Sequence, residues 1–230
     1  MREGFQIRAM AAPASAAFVL AVAWTAVYPA TKASAAVLDR IAASVGTRVI
    51  TESEVILDLR VAEFLDQKPI VLSGKEKRAA ANRLVDQYLI LHDAEANHVA
   101  LPSEADAARL LAATKAQYPS DADYRAALAR YQITEADVSN HLLAGLRALR
   151  YSDFRFRPEV QLSDEDMRAY YGQLMAARPA NSPAPAPTFE ESRGRVQNLM
   201  TDERVLQAMD RWLGVVREES NVRFWDEAFR

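Results

Sequence analysis

Residues 37–55 read VLDRIAASVGTRVI and then TESEV. The first part predicts a short strand, a turn and a second strand, with the first strand at residues 38–45. Thr51 and Glu54 then predict the start of a helix, because the hydroxyl can accept from the third helical amide while the acid reaches back. Strand-like sequence recurs elsewhere only at residues 221–224, so strands are predicted near both ends of the chain.

The segment before this stretch has the order of a secretory signal peptide. Its first eight residues are net positive, residues 11–30 carry no charge, and Ala33-Ser34-Ala35 is a small-x-small site. We predict cleavage after Ala35, a periplasmic location, and no stable membrane insertion once the leader is removed. An uncleaved anchor is the alternative, since roughly 20 apolar residues can span a bilayer. Because the chain has no cysteine, a lipoprotein anchor is excluded.

The composition and net charge of the chain limit the classes of function that it can have. The chain has 230 residues, half of them hydrophobic, which is enough for a real core. Its net charge is −3, and residues 1–35 contribute +2 of that, so the remainder carries −5. A mildly acidic exported chain is not expected to bind nucleic acid, because phosphate affinity comes from clustered Lys and Arg. The basic-aromatic residues 147–157 are interpreted mainly as a helix end, since cations favour that terminus.

Helix-start signals recur along the whole chain. Seven places read Ser/Thr-x-x-Asp/Glu before an amphipathic run, beginning at Thr51, Ser73, Ser103, Ser120, Thr134, Ser163 and Thr188. Seven such signals at helix-length spacing predict a mainly α fold.

Apolar periodicity predicts three long helices, at about residues 75–98, 135–156 and 189–219. The predicted apolar stripe of the second helix is Val138, Leu142, Leu146, Leu149 and Phe154. That of the third is Leu199, Leu206, Met209, Trp212, Leu213 and Val216. The predicted organisation is a signal peptide at 1–35, a helical core at 36–177, a Pro-rich linker at 178–188 and a closing helix and strand at 189–230 that pack back on the core.

The ordered set of elements resembles the SurA-type periplasmic chaperones. The similar segments are residues 38–45 with 49–54, 83–90, 133–138, 160–171 and 212–224. This resemblance covers most of residues 37–175 and resumes near 189–224. It implies a multi-helix module similar to the N-terminal module of that family, completed by a C-terminal helix and strand that return to pair with the first strand. It also implies an ATP-independent chaperone that binds unfolded envelope or outer-membrane proteins through an apolar groove.

One departure from that family concerns catalysis. In that family, prolyl isomerase domains occupy the interval where this chain has only residues 172–188. A segment of fewer than about 40 residues rarely forms a stable core without disulfides, metals or oligomerisation. The chain is therefore expected to be no enzyme, with no catalytic residues and no cofactor. Two other readings stay open: a prolyl isomerase-family foldase with unrecognised activity, and a non-catalytic envelope scaffold for one partner. The oligomeric state is left open.

Candidate binding residues are aromatic or flexible apolar side chains on the middle helices. A subset of them is predicted to line a groove for unfolded segments, and Met adapts to varied shapes. The candidates are Tyr118, Tyr124, Tyr131, Tyr151, Phe154, Tyr170, Tyr171, Leu174 and Met175. No metal site is predicted, because His92 and His98 are six residues apart on a helix and His141 is remote in sequence.

Overall fold

Seven helices and a small sheet make up the part of the chain that the structure, a computed structural model, describes: residues 39–179 and 185–230. The helices are α1 Glu52–Leu65, α2 Gly74–Ala96, α3 Glu104–Lys115, α4 Asp121–Tyr131, α5 Glu135–Phe156, α6 Asp164–Ala176 and α7 Phe189–Glu219. The strands are β1 Ile41–Val45, β2 Arg48–Thr51 and β3 Arg223–Phe224, and short 3-10 turns occupy Arg157–Glu159 and Asp226–Phe229. The predicted leader, residues 1–35, and residues 180–184 of the predicted linker lie outside the described residues. The mainly α fold is confirmed.

Every predicted helix start is a helix start in the structure. The seven hydroxyl residues named above are the N-cap residues of α1 to α7 in order. At α5 the arrangement is reciprocal: the Thr134 amide donates to Asp137 Oδ2 at 2.7 Å, and the Asp137 amide donates to Thr134 Oγ1 at 3.2 Å. The predicted bounds of α7, residues 189–219, are also confirmed. Local capping chemistry therefore sets where the helices begin.

The sheet joins the two ends of the described chain. Its strand order is β2-β1-β3, with β1 antiparallel to both neighbours. Ala43 pairs with Phe224 and Ser44 with Arg223, while the Trp225 amide donates to the Ala42 carbonyl oxygen at 3.0 Å. The predicted small β element between the N-terminal and C-terminal segments is confirmed.

Both predicted end strands are shorter in the structure. β1 begins at Ile41, because the Asp39 carboxylate accepts from the Ser53 amide at 3.1 Å and so belongs to the start of α1. β3 contains only two residues, because Asn221 has a positive φ of 50° where the chain leaves α7. Such left-handed residues commonly end a helix and are incompatible with an extended strand.

Three apolar clusters stabilise the fold. The first packs β1 and β2 against α1, α2, the end of α5 and the second half of α7. The second joins the end of α1 to α4 and the start of α5, and the third joins α6 to the first half of α7. None of the helices in residues 39–179 and 185–230 is both long enough and apolar enough to cross a bilayer.

The predicted apolar stripes of α5 and α7 are partly wrong. On α5, Leu149 and Phe154 are more than half exposed, while Leu143, Tyr151 and Phe156 are buried. The reason is that α5 packs against α1 and α3 as well as α2 and α7, so its buried surface is not one straight stripe.

On α7 the same prediction fails for Leu199 and Leu206, which are 38% and 60% exposed. The buried side chains of α7 are Phe189, Val196, Met200, Val205, Met209 and Leu213. The first half of α7 faces α6 and the second half faces α2 and α5, so the buried face changes along the helix.

Candidate functional site

Three of the predicted contact residues, Tyr118, Tyr124 and Tyr131, come together around Phe64 in the second cluster. The Phe64 ring stacks on Tyr118 at a centroid distance of 5.9 Å and meets Tyr131 edge-on at 5.5 Å. Tyr124 and Tyr131 are buried and Tyr118 is half-buried. The structure therefore places these tyrosines in a packed core rather than in an open groove.

The hydroxyl groups of two of these tyrosines differ in their partners. Tyr131 donates to the Lys68 carbonyl oxygen at 2.7 Å, whereas the buried Tyr124 hydroxyl has no partner among the described residues. Burial raises the pKa of Tyr124 to about 12, because ionisation would place a charge in an apolar surrounding.

Tyr151 and Phe154 lie on α5 but have opposite environments. Tyr151 is buried, donates to Asp93 Oδ2 at 2.5 Å and packs against Trp212 at a ring distance of 5.4 Å. Burial is the main reason that the pKa of Tyr151 is raised. Phe154 is 52% exposed and is the one of the two that a partner can reach.

The remaining four candidates, Tyr170, Tyr171, Leu174 and Met175, are half-buried residues on α6. Three of them border the third cluster. Tyr171 donates to the Pro187 carbonyl oxygen at 2.5 Å, and its ring meets Phe189 edge-on at 5.7 Å. The structure brings these four side chains together on one helix and leaves each of them partly accessible.

We call α6 and residues 189–200 of α7 the α6–α7 hairpin. Its core contains two flexible side chains, Met167 and Met200, beside Phe189 and Val196. The principal helix contact of α6 is with α7, so the hairpin packs on itself along that side.

Charged side chains border the apolar core of the α6–α7 hairpin. The Arg168 guanidinium lies 4.2 Å from the centre of the Phe189 ring and 3.3 Å from Glu190 Oε1. Arg193 forms an ion pair with Asp164 across the two helices. These pairs connect α6 to α7 at their exposed edges and leave the apolar residues between them.

Two further accessible apolar residues lie on α7. Leu199 and Leu206 are seven residues apart, about two helical turns, so they share one side of the helix. Sequence reasoning assigned both to the core because they fit an apolar repeat. The signal that could have identified them is a second repeat out of phase with the first, formed by Val196, Met200 and Val205.

A buried charge cluster lies where α1, α2 and α5 meet. Asp58 is only 7% exposed, and its Oδ2 accepts from Arg83 Nη2 at 2.7 Å. His141 Nδ1 lies 3.1 Å from Asp58 Oδ1. A cavity of about 210 Å³ lies beside this cluster. Sequence reasoning missed it, because no local pattern links residues 58, 83 and 141.

Comparisons of this chain with protein-family models, with curated proteins and with solved structures found no match.

Proposed function

We propose that this protein is an exported, ATP-independent chaperone that holds unfolded envelope or outer-membrane proteins. The observation that carries the proposal is the accessible apolar surface of the α6–α7 hairpin. Four residues selected from the sequence as contact residues, 170, 171, 174 and 175, stand half-exposed there beside a core with two methionines. Among the four, Met175 presents a flexible thioether side chain that adapts to varied shapes, which suits a site that accepts many sequences.

The closure of the chain supports the same proposal. A C-terminal strand that returns to pair with the first strand is what the resemblance to the SurA-type chaperones implies, and β3 pairs with β1. Because closure holds α7 at its C-terminal end, the first half of α7 can present the hairpin without further support from a sheet.

Binding energies fit a holding function without a nucleotide cycle. Burying one large apolar side chain contributes roughly 1.5–3 kcal/mol. A micromolar complex needs about 8 kcal/mol net, after side-chain and chain ordering has been subtracted. Several anchors such as Tyr170, Leu174, Met175 and Leu199 therefore suffice for capture. Release follows from the modest affinity.

The test is suppression of aggregation by the purified protein, measured by light scattering for several unrelated outer-membrane proteins diluted from denaturant. We expect suppression of most clients at micromolar chaperone. The double variant Met175→Ser/Leu199→Ser should require at least fivefold more protein, since two accessible anchors of the hairpin are lost.

Val215→Ser is the matched control. Val215 is 56% exposed on α7, and sixteen residues from Leu199 place it about four and a half turns away, on the opposite side and outside the hairpin. It should suppress aggregation as the wild type does. Binding to only one native partner would favour a scaffold, and faster proline-limited refolding would favour an isomerase; either result contradicts the proposal.

A further inference from the structure

A second concave site lies at the other end of α7. A cavity of about 510 Å³ opens between the turn that joins β1 to β2, the last turns of α2 and the end of α7. Val45, Leu89 and Val216 supply its apolar walls. Its volume falls within the range of about 300–1,000 Å³ that is usual for pockets that bind small organic groups.

One carboxylate in the cavity wall, that of Asp93, accepts hydrogen bonds from the protein through only one of its oxygens. Asp93 Oδ2 accepts from the Tyr151 hydroxyl at 2.5 Å and from Asn97 Nδ2 at 2.9 Å, and Arg155 Nη1 lies 3.5 Å from it. These hydrogen bonds end on Oδ2, and none from a described residue ends on Oδ1. The Asp93 side chain is 28% exposed, so a ligand can reach the carboxylate, and Oδ1 retains the capacity to accept a hydrogen bond.

The backbone adds negative potential at the same place. Both α2 and α7 end at this cavity, through Ala96 and Ser220, and a helix carries partial negative charge at its carboxyl end. The last turn of α2 contains no basic residue. Arg217, in the last turn of α7, is engaged by Asp86 at 2.7 and 2.6 Å.

Aromatic side chains complete the wall. The Tyr88 and His92 rings meet edge-on at 6.0 Å, and both line the cavity. Aromatic faces attract cations, and guanidinium groups more often than ammonium groups. Arg155, which forms an ion pair with Asp93, approaches it on the Oδ2 side, with its guanidinium 5.4 Å from the centre of the Trp212 ring.

We infer that this cavity binds an organic cation, namely the guanidinium or ammonium group of an arginine or lysine side chain. The ligand's charge meets Asp93 and the two helix ends, while its methylene groups contact Tyr88, Ala96 and Val216. This inference rests on the proposed function in one respect: the natural source of the cation is a basic residue of a bound client. The cavity then selects unfolded segments that carry Arg or Lys beside apolar residues.

The experiment titrates the isotopically labelled protein with short capped peptides and follows backbone amide shifts. Ac-Gly-Arg-Gly-amide should shift the amides of Gly46, Thr47 and Ser220. The citrulline peptide, which is neutral and nearly the same shape, should bind at least tenfold more weakly. Equal binding of the two peptides, or shifts confined to other parts of the protein, would overturn the inference.

Two variants separate the site from the fold. Asp93→Asn should weaken arginine-peptide binding at least tenfold, but it also alters the partner of the buried Tyr151. Ala96→Phe leaves Asp93 unchanged and fills the cavity from its exposed rim, so it should abolish binding as well. Ala79→Phe, at another exposed position on α2, is the control and should bind like the wild type. If Ala96→Phe binds the arginine peptide with wild-type affinity, the peptide does not bind in this cavity and the inference is wrong.

The same samples are assayed for suppression of aggregation. Suppression without arginine binding overturns this inference and leaves the chaperone proposal standing. Arginine binding without suppression supports the cavity as a cation site and contradicts the chaperone proposal.

Discussion

A β-carbon placed on Gly74 would lie 2.3 Å from the carbonyl oxygen of Phe229. The first turn of α2 and the last residues of the chain are therefore in direct backbone contact. Two α2 side chains extend the contact. Lys77 Nζ lies 3.3 Å from the Arg230 carbonyl oxygen, and the Arg78 guanidinium lies 3.9 Å from the centre of the Phe224 ring. These contacts hold β3 beside β1.

Gly74→Ala should destabilise the protein by about 1–3 kcal/mol, because the added methyl group meets backbone atoms that cannot move without displacing the C-terminal residues. Urea unfolding followed by circular dichroism measures this. Gly145→Ala is the control: a β-carbon there meets nothing within 4 Å, and α5 should gain about 0.5–1 kcal/mol from the better helix former. Equal effects of the two variants would contradict the contact.

The ion pair between Glu52 and Lys77 should make stability depend on acid. Lys77 Nζ lies 2.8 Å from Glu52 Oε1 and lowers the pKa of that carboxyl below its ordinary value of 4.5. The folded state therefore binds its proton less readily than the unfolded state. The stabilisation is complete above about pH 4.5 and is lost as the pH falls through the lowered pKa of folded Glu52.

Glu52→Gln should cost about 2–4 kcal/mol at pH 7, because Lys77 is then buried without its counterion. The difference from the wild type should shrink as the pH falls below 4.5, which unfolding curves across pH 3–7 would detect. Glu104→Gln changes an exposed position, so its stability difference from the wild type should not shrink in this way as the pH falls. A constant difference between Glu52→Gln and the wild type at all pH values would exclude the pair as the source.

Tyr124 and Tyr131 form a matched pair for testing hydroxyl groups in one cluster. Tyr131→Phe should lower the free energy of unfolding by about 1 kcal/mol, because the Tyr131 hydroxyl donates to the Lys68 carbonyl oxygen. Tyr124→Phe should be neutral or stabilising by up to about 1 kcal/mol, since it removes a buried hydroxyl without a described partner. A larger loss for Tyr124→Phe than for Tyr131→Phe would show that the Tyr124 hydroxyl has a partner.

Arg217 and Asp86 connect α7 to α2 through two hydrogen bonds of 2.7 and 2.6 Å. Arg217→Met should destabilise the protein by about 1–2 kcal/mol at pH 7, because a largely buried carboxylate loses its counterion. Burial raises the pKa of the Asp86 carboxyl above its ordinary value of 3.8, so the folded state binds this proton more tightly than the unfolded state does. The contribution of Asp86 to the free energy of unfolding therefore falls as the pH rises through the raised pKa. The loss caused by Arg217→Met should consequently be smaller near pH 4 than at pH 7, whereas a loss independent of pH would contradict the role of charge.

The sequence alone determined where each of the seven described α-helices begins, from Thr51 before α1 to Thr188 before α7. Capping depends on residues three positions apart, so its signal is local and survives without knowledge of the fold. The mainly α fold and the strands near each end of the chain were predicted for the same reason. The pairing of Ala43 with Phe224 was expected only through the resemblance to a known family.

Tertiary structure alone decided which side chains are accessible. Tyr124, Tyr151 and Tyr171 look alike in the sequence, but of the three only Tyr171 remains partly open. Tyr124 and Tyr151 lie in clusters that also contain residues of at least two other elements, whereas Tyr171 borders a cluster formed by α6 and α7. The meeting of Asp58 with His141, and that of Asp93 with Ser220 around one cavity, arise in the same way. Burial depends on which helices pack together in space, and a local sequence pattern does not show which distant segments will meet.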